Sequence, residues 1–456
     1  MSILIKFRKT VMFAVKLLIT LTITFGFVFV WQRGYPESLF MDDGNYVVVF
    51  AFLFILLTFI KLYGGFKIGV FRMHELWYSL GIAIVFTNFI MYMILSLIAR
   101  EMLLPWWILG GTVFQIILTG INVYAANSIY FSLYSSRHIL AIYSGDEHGR
   151  ETIRKMSCIP ERYTIDKALS IRNRSMKNIK REIDKYKAVL ICDFDQTKKD
   201  DVLRYCYEKR KRIYLLPSST DIILSSAYQS QVFDTPILMC RNYGLTMEQL
   251  VVKRAMDIIV SLIMLICASP IMLITAIAIK LCDGGPVFFK QNRVTRDGEI
   301  FNVLKFRSMI VDADKDGVRG ASNNDSRITP VGKIIRACRV DELPQLINVL
   351  RGDMSLVGPR PERTENVYTY TEKYPDFNLR HRVKGGLTGY AQIYGKYNTS
   401  PEDKLNMDLI YIEKYSTFLD IKLLFMTFKI LFMKESTEGF EEKPKETNQE
   451  KGKESK

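Results

Sequence analysis

The chain has 456 residues, 49% hydrophobic and 24% charged, a mixture that argues against one soluble core and for apolar blocks separated by charged ones. Lys and Arg number 62 against 47 Asp and Glu, a formal +15 that suits phosphorylated substrates, anionic lipid headgroups or nucleic acid; apolar blocks of spanning length favour the first two over nucleic acid. Seven scattered cysteines, an odd number without a C-x-x-C pair, argue against a disulfide framework and a zinc site, and fit a reducing, cytosolic face.

Four apolar stretches, 11–30, 46–60, 76–98 and 102–124, predict a transmembrane bundle over 1–130. The first is too long for a signal-peptide core and lacks a cleavage site of small residues, so it is read as a retained span. Lys6, Arg8 and Lys9 precede the first stretch, and Lys61, Lys67 and Arg72 lie between the second and third. The other two loops offer Arg33 and Arg100, so both ends of the bundle are expected on the cytoplasmic side. Lys16, near the start of the first span, is close enough to the surface to snorkel.

From 131 to 246 the pattern changes to short β-rich runs, HILAIYS, KAVLICD and RIYLLPS, alternating with charged helical segments such as DDVLRYCYEKRK. This predicts a Rossmann-like α/β domain of the doubly wound kind. The turn Ser144-Gly145-Asp146-Glu147-His148-Gly149 lacks the G-x-G-x-x-G spacing that brings backbone close to a pyrophosphate, so a structural or regulatory role is expected of this domain. Tyr205 and Lys209 have the Tyr-x-x-x-Lys spacing of a nucleotide-sugar dehydratase or epimerase, but without that fingerprint the spacing reads as coincidence.

The remainder, 247–434, predicts an α+β catalytic domain carrying a re-entrant membrane helix and an interfacial helix. The run 256–281 is long enough to span, yet a crossing would carry the basic segment behind it away from cytosolic ligands. Ser269-Pro270 near its middle removes a helix hydrogen bond and predicts a sharp bend, hence a hairpin that dips into one leaflet and returns. The stretch 417–433 carries Asp420, Lys422 and Lys429 among bulky apolar residues and predicts a helix lying on the bilayer. The tail 435–456 is charged and poor in apolar residues, a composition of disorder.

Asp341 and Glu342 are adjacent acids beside Arg336 and Arg339. Neighbouring side chains do not share a helix face, so the two acids can do different jobs in one pocket, one attacking phosphorus and one holding a metal. Around them, KFRSM with Lys305 and Arg307, GDMSLVGPRPE and KGGLTGYAQIYG concentrate cations, glycines and prolines, a composition suited to phosphate and nucleobase binding.

In order along 253–433, the motifs KRAMD, GPVFFKQNRV, KFRSM, DELPQLINVLRGDMSLVGPRPE and GLTGYAQ resemble those of the bacterial sugar transferase family, the monotopic polyprenyl-phosphate phosphoglycosyl transferases. The upstream spans and sheet domain resemble the large members of that family. The resemblance implies that Asp341 attacks the sugar-bearing phosphorus of a UDP-sugar, releasing UMP, and that polyprenyl phosphate then takes the phosphosugar. It implies Glu342 as the Mg²⁺ ligand, Pro359, Arg360 and Pro361 at the uridine end, and Ser269-Pro270 as the break of a re-entrant helix. It further implies a multi-pass protein of the bacterial inner membrane, with the catalytic domain on the cytoplasmic face, acting at the start of capsule, exopolysaccharide or O-antigen synthesis. Glucose, galactose and N-acetylated hexoses all remain open as the sugar, and the bundle and sheet domain are candidate surfaces for a homodimer.

Two features are discounted. Asp312, Asp314, Asp316 and Gly317 copy the start of a calcium loop, but its twelfth position is Asn323 rather than glutamate. His381, among Arg380, Arg382 and Lys384, reads as a basic surface histidine.

Overall fold

The computed structural model describes residues 7–41, 43–144, 147–172, 174–192, 196–240, 244–311, 325–396 and 399–431. Lys6, Gly145 and Asp146 of the predicted turn, the calcium-like loop and the charged tail lie outside them. By its contacts the chain divides into two units, Met1–Ser218 and Ser219–Lys456.

The first unit begins with helices α1 (Arg8–Gly34), α2 (Gly44–Tyr63), α3 (Met73–Ala99) and α4 (Trp106–Leu133), all long and apolar enough to cross a membrane. The chain is a membrane protein. The fourth helix starts at Trp106 rather than at 102, because Pro105 tolerates only the first turn of a helix, and it runs to Leu133, past the expected end at 124. Phe13, Phe25, Phe50 and Ile121 are exposed along the bundle, where lipid would meet them. Inside it, Asn88 donates to Thr112 Oγ1 (2.7 Å) and Gln115 Oε1 (2.6 Å), and Gln115 donates to the Ile23 carbonyl (2.8 Å), tying α1, α3 and α4 together. The Lys16 ammonium reaches the ring of Phe66 in the loop after α2, 5.9 Å from its centroid.

Four parallel strands follow: β1 (Arg137–Tyr143), β2 (Tyr163–Ser170), β3 (Ala188–Ile191) and β4 (Arg212–Leu215), in the order β2-β1-β3-β4. The intervening helices are α5 (Glu147–Ser157), α6 (Met176–Asp184) and α7 (Gln196–Glu208). Alternation along β1 sends Leu140 and Ile142 to a cluster with Ile179, Ile183, Val202 and Cys206 of α6 and α7. It sends Ile139 and Ala141 to the opposite face, with Ile153 and Met156 of α5. Helices thus cover both faces, as a parallel sheet requires.

The second unit starts earlier than the expected boundary at 246. It takes in α8 (Ser219–Ser225) and the hairpin β5 (Tyr228–Val232) and β6 (Thr235–Met239), and Ile222 is buried in its core with Leu405, Leu409 and Phe377.

Next comes α9 (Met247–Asp283), a single helix of 37 residues where the sequence predicts a two-armed hairpin. Both of its ends are nevertheless tied to one fold. Near the start, Lys253 bonds Asp420 (2.6 Å) and the Val357 carbonyl (2.9 Å), and Asp257 accepts the Leu356 N–H (3.0 Å). Near the end, Ile279 packs with Phe306 and Ile335, and Asp283 pairs with Arg307. Val340 packs on that second cluster and also lines a cavity with Val260 and Met264 from the first half of the helix.

Pro270 lies between the two sets of anchors. Proline cannot make the bond to the carbonyl four residues back, and that carbonyl, Ile266, accepts the Ser269 hydroxyl instead (2.7 Å). The helix therefore runs on through the pair without a break. Ile259, Ile263, Ile266, Leu273 and Ile274 are exposed along it.

The catalytic-domain strands and helices follow as β7 (Phe288–Val294), β8 (Ile300–Phe306), α10 (Pro330–Ala337), α11 (Gln345–Arg351), β9 (Ser355–Val357), α12 (Thr364–Lys373), β10 (Gly386–Thr388), α13 (Tyr390–Tyr394), α14 (Pro401–Glu413) and α15 (Thr417–Leu431). β7 and β8 pair antiparallel, and the short β9 and β10 pair parallel. In α15, Asp420 and Lys429 are buried, while Phe418, Ile421 and Phe428 are exposed. Asp420 is tolerated inside because Lys253 and the Tyr411 hydroxyl (2.8 Å) meet it there.

Candidate active site

Asp341 and Glu342 lie in a single 3₁₀ turn, Val340–Glu342, between α10 and α11. The turn is entered through Arg339 in the left-handed region (φ 54°), an uncommon conformation for a side-chain-bearing residue, and leads through Leu343 and Pro344 into α11.

Two cations from distant segments hold Glu342. Lys305, on β8, donates to Glu342 Oε1 at 2.9 Å, and Arg360 donates to the same oxygen at 2.6 Å. Burial alone would raise the Glu342 carboxyl, but Arg360 and Lys305 override it and hold the group well below the usual carboxylate range. Asp341 goes the other way. Burial and the neighbouring Glu342 charge push its carboxyl up, and Lys305, Arg336 and Arg360 offset this only in part. Adjacent residues of like chemistry are thus set apart by their surroundings.

The loop that carries Arg360 is braced from behind. Pro359 and Pro361 are buried, the Arg380 guanidinium donates to the Arg360 carbonyl (2.9 Å), and the Arg293 guanidinium donates to the Pro361 carbonyl (3.0 Å). Arg380 is in turn paired with buried Asp408 at 2.7 Å. Arg293 is held by Gln291 Oε1 (2.8 Å), and burial together with the Arg360 charge brings it down to about 10. Sequence reading missed Arg293, Arg380 and Asp408 as site residues. For Gln291 and Arg293 the signal was their alternation on β7, which places them on the same hairpin face as Lys305.

Other expected residues fall elsewhere. Arg307 is buried and pairs with Asp283 at the end of α9, so in this structure it anchors the helix and does not touch the dyad. Arg336 acts on Asp341 through its charge, and Arg339 lines the cavity beside Glu342. Ser269 and Pro270 lie within α9, where the Ser269 hydroxyl donates to the Ile266 carbonyl. The glycines of the 384–395 motif allow close backbone packing: a Cβ on Gly386 would collide with the Gly358 nitrogen, and one on Gly389 with the Gly358 carbonyl. His381, expected as a basic surface residue, is partly buried and brought down to about 4 by burial and then by Arg380, so it is neutral at pH 7. Tyr205 donates to Asp184 and its phenol is raised, whereas a Tyr-Lys catalytic pair needs the phenol lowered.

A cavity of about 320 Å³ opens beside the dyad. Glu342, Arg339 and Arg360 lie at its polar side, and Val260, Met264, Leu424 and Phe428 make an apolar wall from α9 and α15. Among the described residues no three His, Cys, Asp or Glu side chains gather as a metal cage. Two adjacent carboxylates still suit Mg²⁺, which is commonly held by one or two carboxylates with substrate phosphates and water completing its shell.

Residues 248–434 match the bacterial sugar transferase family. A UDP-N-acetylgalactosamine-undecaprenyl-phosphate N-acetylgalactosaminephosphotransferase of Aeromonas hydrophila is 43% identical over 183 residues, 40% of this chain and 43% of that one. A UDP-glucose:undecaprenyl-phosphate glucose-1-phosphate transferase of Klebsiella pneumoniae is 43% identical over 220 residues, 47% of each chain. An uncharacterized sugar transferase, EpsL, of Bacillus subtilis (strain 168) is 41% identical over 186 residues, 41% of this chain and 90% of that one. The chain belongs to the bacterial sugar transferase family. It spans about half the length of the first two relatives.

Proposed function

We propose that the protein transfers a hexose-1-phosphate from a UDP-sugar to polyprenyl phosphate, releasing UMP, as the initiating step of capsule, exopolysaccharide or O-antigen synthesis. The observation that carries this reading is the division between the two acids: Glu342 clamped by Lys305 and Arg360, Asp341 outside the clamp. An Asp341 carboxylate oxygen attacks the sugar-bearing phosphorus, and the bond to the UMP oxygen breaks with its electron pair leaving on UMP. An oxygen of polyprenyl phosphate then attacks the same phosphorus, and the aspartyl oxygen leaves to restore the carboxylate. Lys305, Arg360 and Arg336 offset the charge gathered there, and the buried prolines hold Arg360 in place. Glu342, with Asp341 beside it, would hold Mg²⁺, whose charge neutralisation would favour approach of two anions.

The apolar wall of the neighbouring cavity offers the first isoprene units a place next to the dyad. The basic residues at the cytoplasmic loops of α1 to α4 favour an inner-membrane protein with its catalytic unit facing the cytoplasm, where nucleotide-sugars are made. The relatives' names include both glucose and N-acetylgalactosamine, so the donor is assigned here as a UDP-hexose.

The test is a UMP-release assay with a panel of UDP-sugars, with and without polyprenyl phosphate. Asp341→Asn should lower release at least about a thousandfold at any Mg²⁺ concentration and leave no phosphosugar adduct. Glu342→Gln should retain turnover that rises with added Mg²⁺. An adduct on the Asp341→Asn protein would move the nucleophile to another residue.

A further inference from the structure

A second basic cavity, of about 510 Å³, opens at the foot of α9, lined among others by Arg254, Asp257, Arg296, Ser355, Arg382 and Lys384. It lies at the opposite end of α11 from the dyad. Glu342 precedes the first turn of that helix, whereas Arg254 donates to the Val349 and Leu350 carbonyls (2.6 and 2.7 Å) and Lys384 to the Gly352 carbonyl (2.5 Å) at its last turn. Ten residues of mostly helical chain separate the two places, about 15 Å. We propose that this cavity is a second anion site, built for the phosphate group of a ligand other than the sugar donor.

Capping of α11 accounts for part of the basic lining, since cations stabilise a helix C-terminus. It leaves two facts over. Ser355 is 1% exposed and its hydroxyl has no hydrogen-bond partner among the described residues, although the residue lines a cavity rather than sealed core. The cations also outnumber the acids facing them. Asp257 is engaged by the Leu356 N–H, Asp297 pairs with Arg296 at 3.0 Å, and Glu413 lies 3.7 Å from Arg382. Arg254 and Lys384 give their hydrogen bonds to neutral carbonyls, which leave their charge in place. Burial, then Arg254 and Arg296, brings the Lys384 ammonium down, as expected where like charges are crowded. An anion with two or three acceptor oxygens relieves that crowding and gives the Ser355 hydroxyl an acceptor.

Two sources carry this chemistry. One is an anionic phospholipid headgroup, whose acyl chains would find exposed Val251 and Val252 on α9. The other is a soluble phosphate or diphosphate. Full-length protein in phosphatidylcholine nanodiscs, titrated with pyrophosphate by calorimetry, should bind two equivalents if the source is soluble, one at the dyad and one here. With phosphatidylglycerol added to the discs, native mass spectrometry should show retained anionic lipid if the source is a headgroup. In either case Arg296→Gln, at a side chain 40% exposed, should weaken the second event about tenfold and leave UMP release within twofold. Ser355→Ala should weaken it about threefold with the same activity. If neither variant lowers pyrophosphate stoichiometry or lipid retention, the cavity is not an anion site.

Discussion

Around Arg380 two groups have folded-state pKa values moved in directions that oppose each other in stability. Burial pushes the Asp408 carboxyl up to about 6, against the pull of Arg380, while burial and Arg380 bring His381 down to about 4. For Asp408 the folded value lies above the unfolded one, near 3.9. The folded chain then holds more protons between the two, and its stability falls as pH rises from about 4 to 6. For His381 the folded value lies below the unfolded one, near 6.5, so stability rises with pH from about 4 to 6.5. Each effect is on the order of 3 kcal/mol over its window, so in the wild-type protein they largely cancel. Asp408→Asn should remove one side of the balance. Its melting temperature, followed by thermal shift in detergent, should drop more steeply than wild type between pH 6.5 and 4.5. A slope equal to that of wild type would show that the two groups do not act as assigned.

At the scale of single elements, α9 decides what faces which side of the membrane. Its two ends share a fold, so with the other six cysteines replaced, exposed Cys282 and a cysteine in place of exposed Met247 should react with an impermeant maleimide from the same side. Inside-out vesicles should label both and intact cells neither; labelling of Cys282 alone from outside would mean that α9 crosses. The gap in the helix's hydrogen bonding was legible from Ser269-Pro270, because proline acts locally on the helix it interrupts. That the helix stays continuous was not legible, since it depends on the Ser269 hydroxyl finding the Ile266 carbonyl.

The same contrast separates the legible from the hidden elsewhere. Spans α1 to α4 follow from length and apolarity, and the dyad with Lys305 and Arg360 from motif. By contrast β2, with Asp166 and Lys167 in its middle, carries no period that marks a strand. The core position of Asp420 rests on a partner 167 residues away, and the role of Arg380 on Asp408, which no local pattern announces.

At the scale of the molecule, the two units differ in what they hold: the dyad, its cations and both cavities lie in Ser219–Lys456. A relative of which 90% is matched by 186 residues of this chain shows that such a segment can make up nearly a whole protein. A truncated chain beginning at Ser219 should therefore release UMP within about tenfold of the full protein in nanodiscs. Beginning at Met247 instead removes Ile222 from the core, a loss of about 2–4 kcal/mol for a buried aliphatic side chain, and should lower the melting temperature. A folded chain from Ser219 without activity would assign the first unit a part in the chemistry.

The clamp on Glu342 also orders events in time. Its two cations come from 37 residues before it and 18 after it, and the Lys253–Asp420 tie that fixes α9 spans 167. Closing loops of that length must be met entropically before the contacts they allow can form. Helices can form early on a newly made chain, but the charge environment of the dyad arises only when these three distant segments have met. Until then Asp341 and Glu342 are two ordinary acids on an unfinished chain.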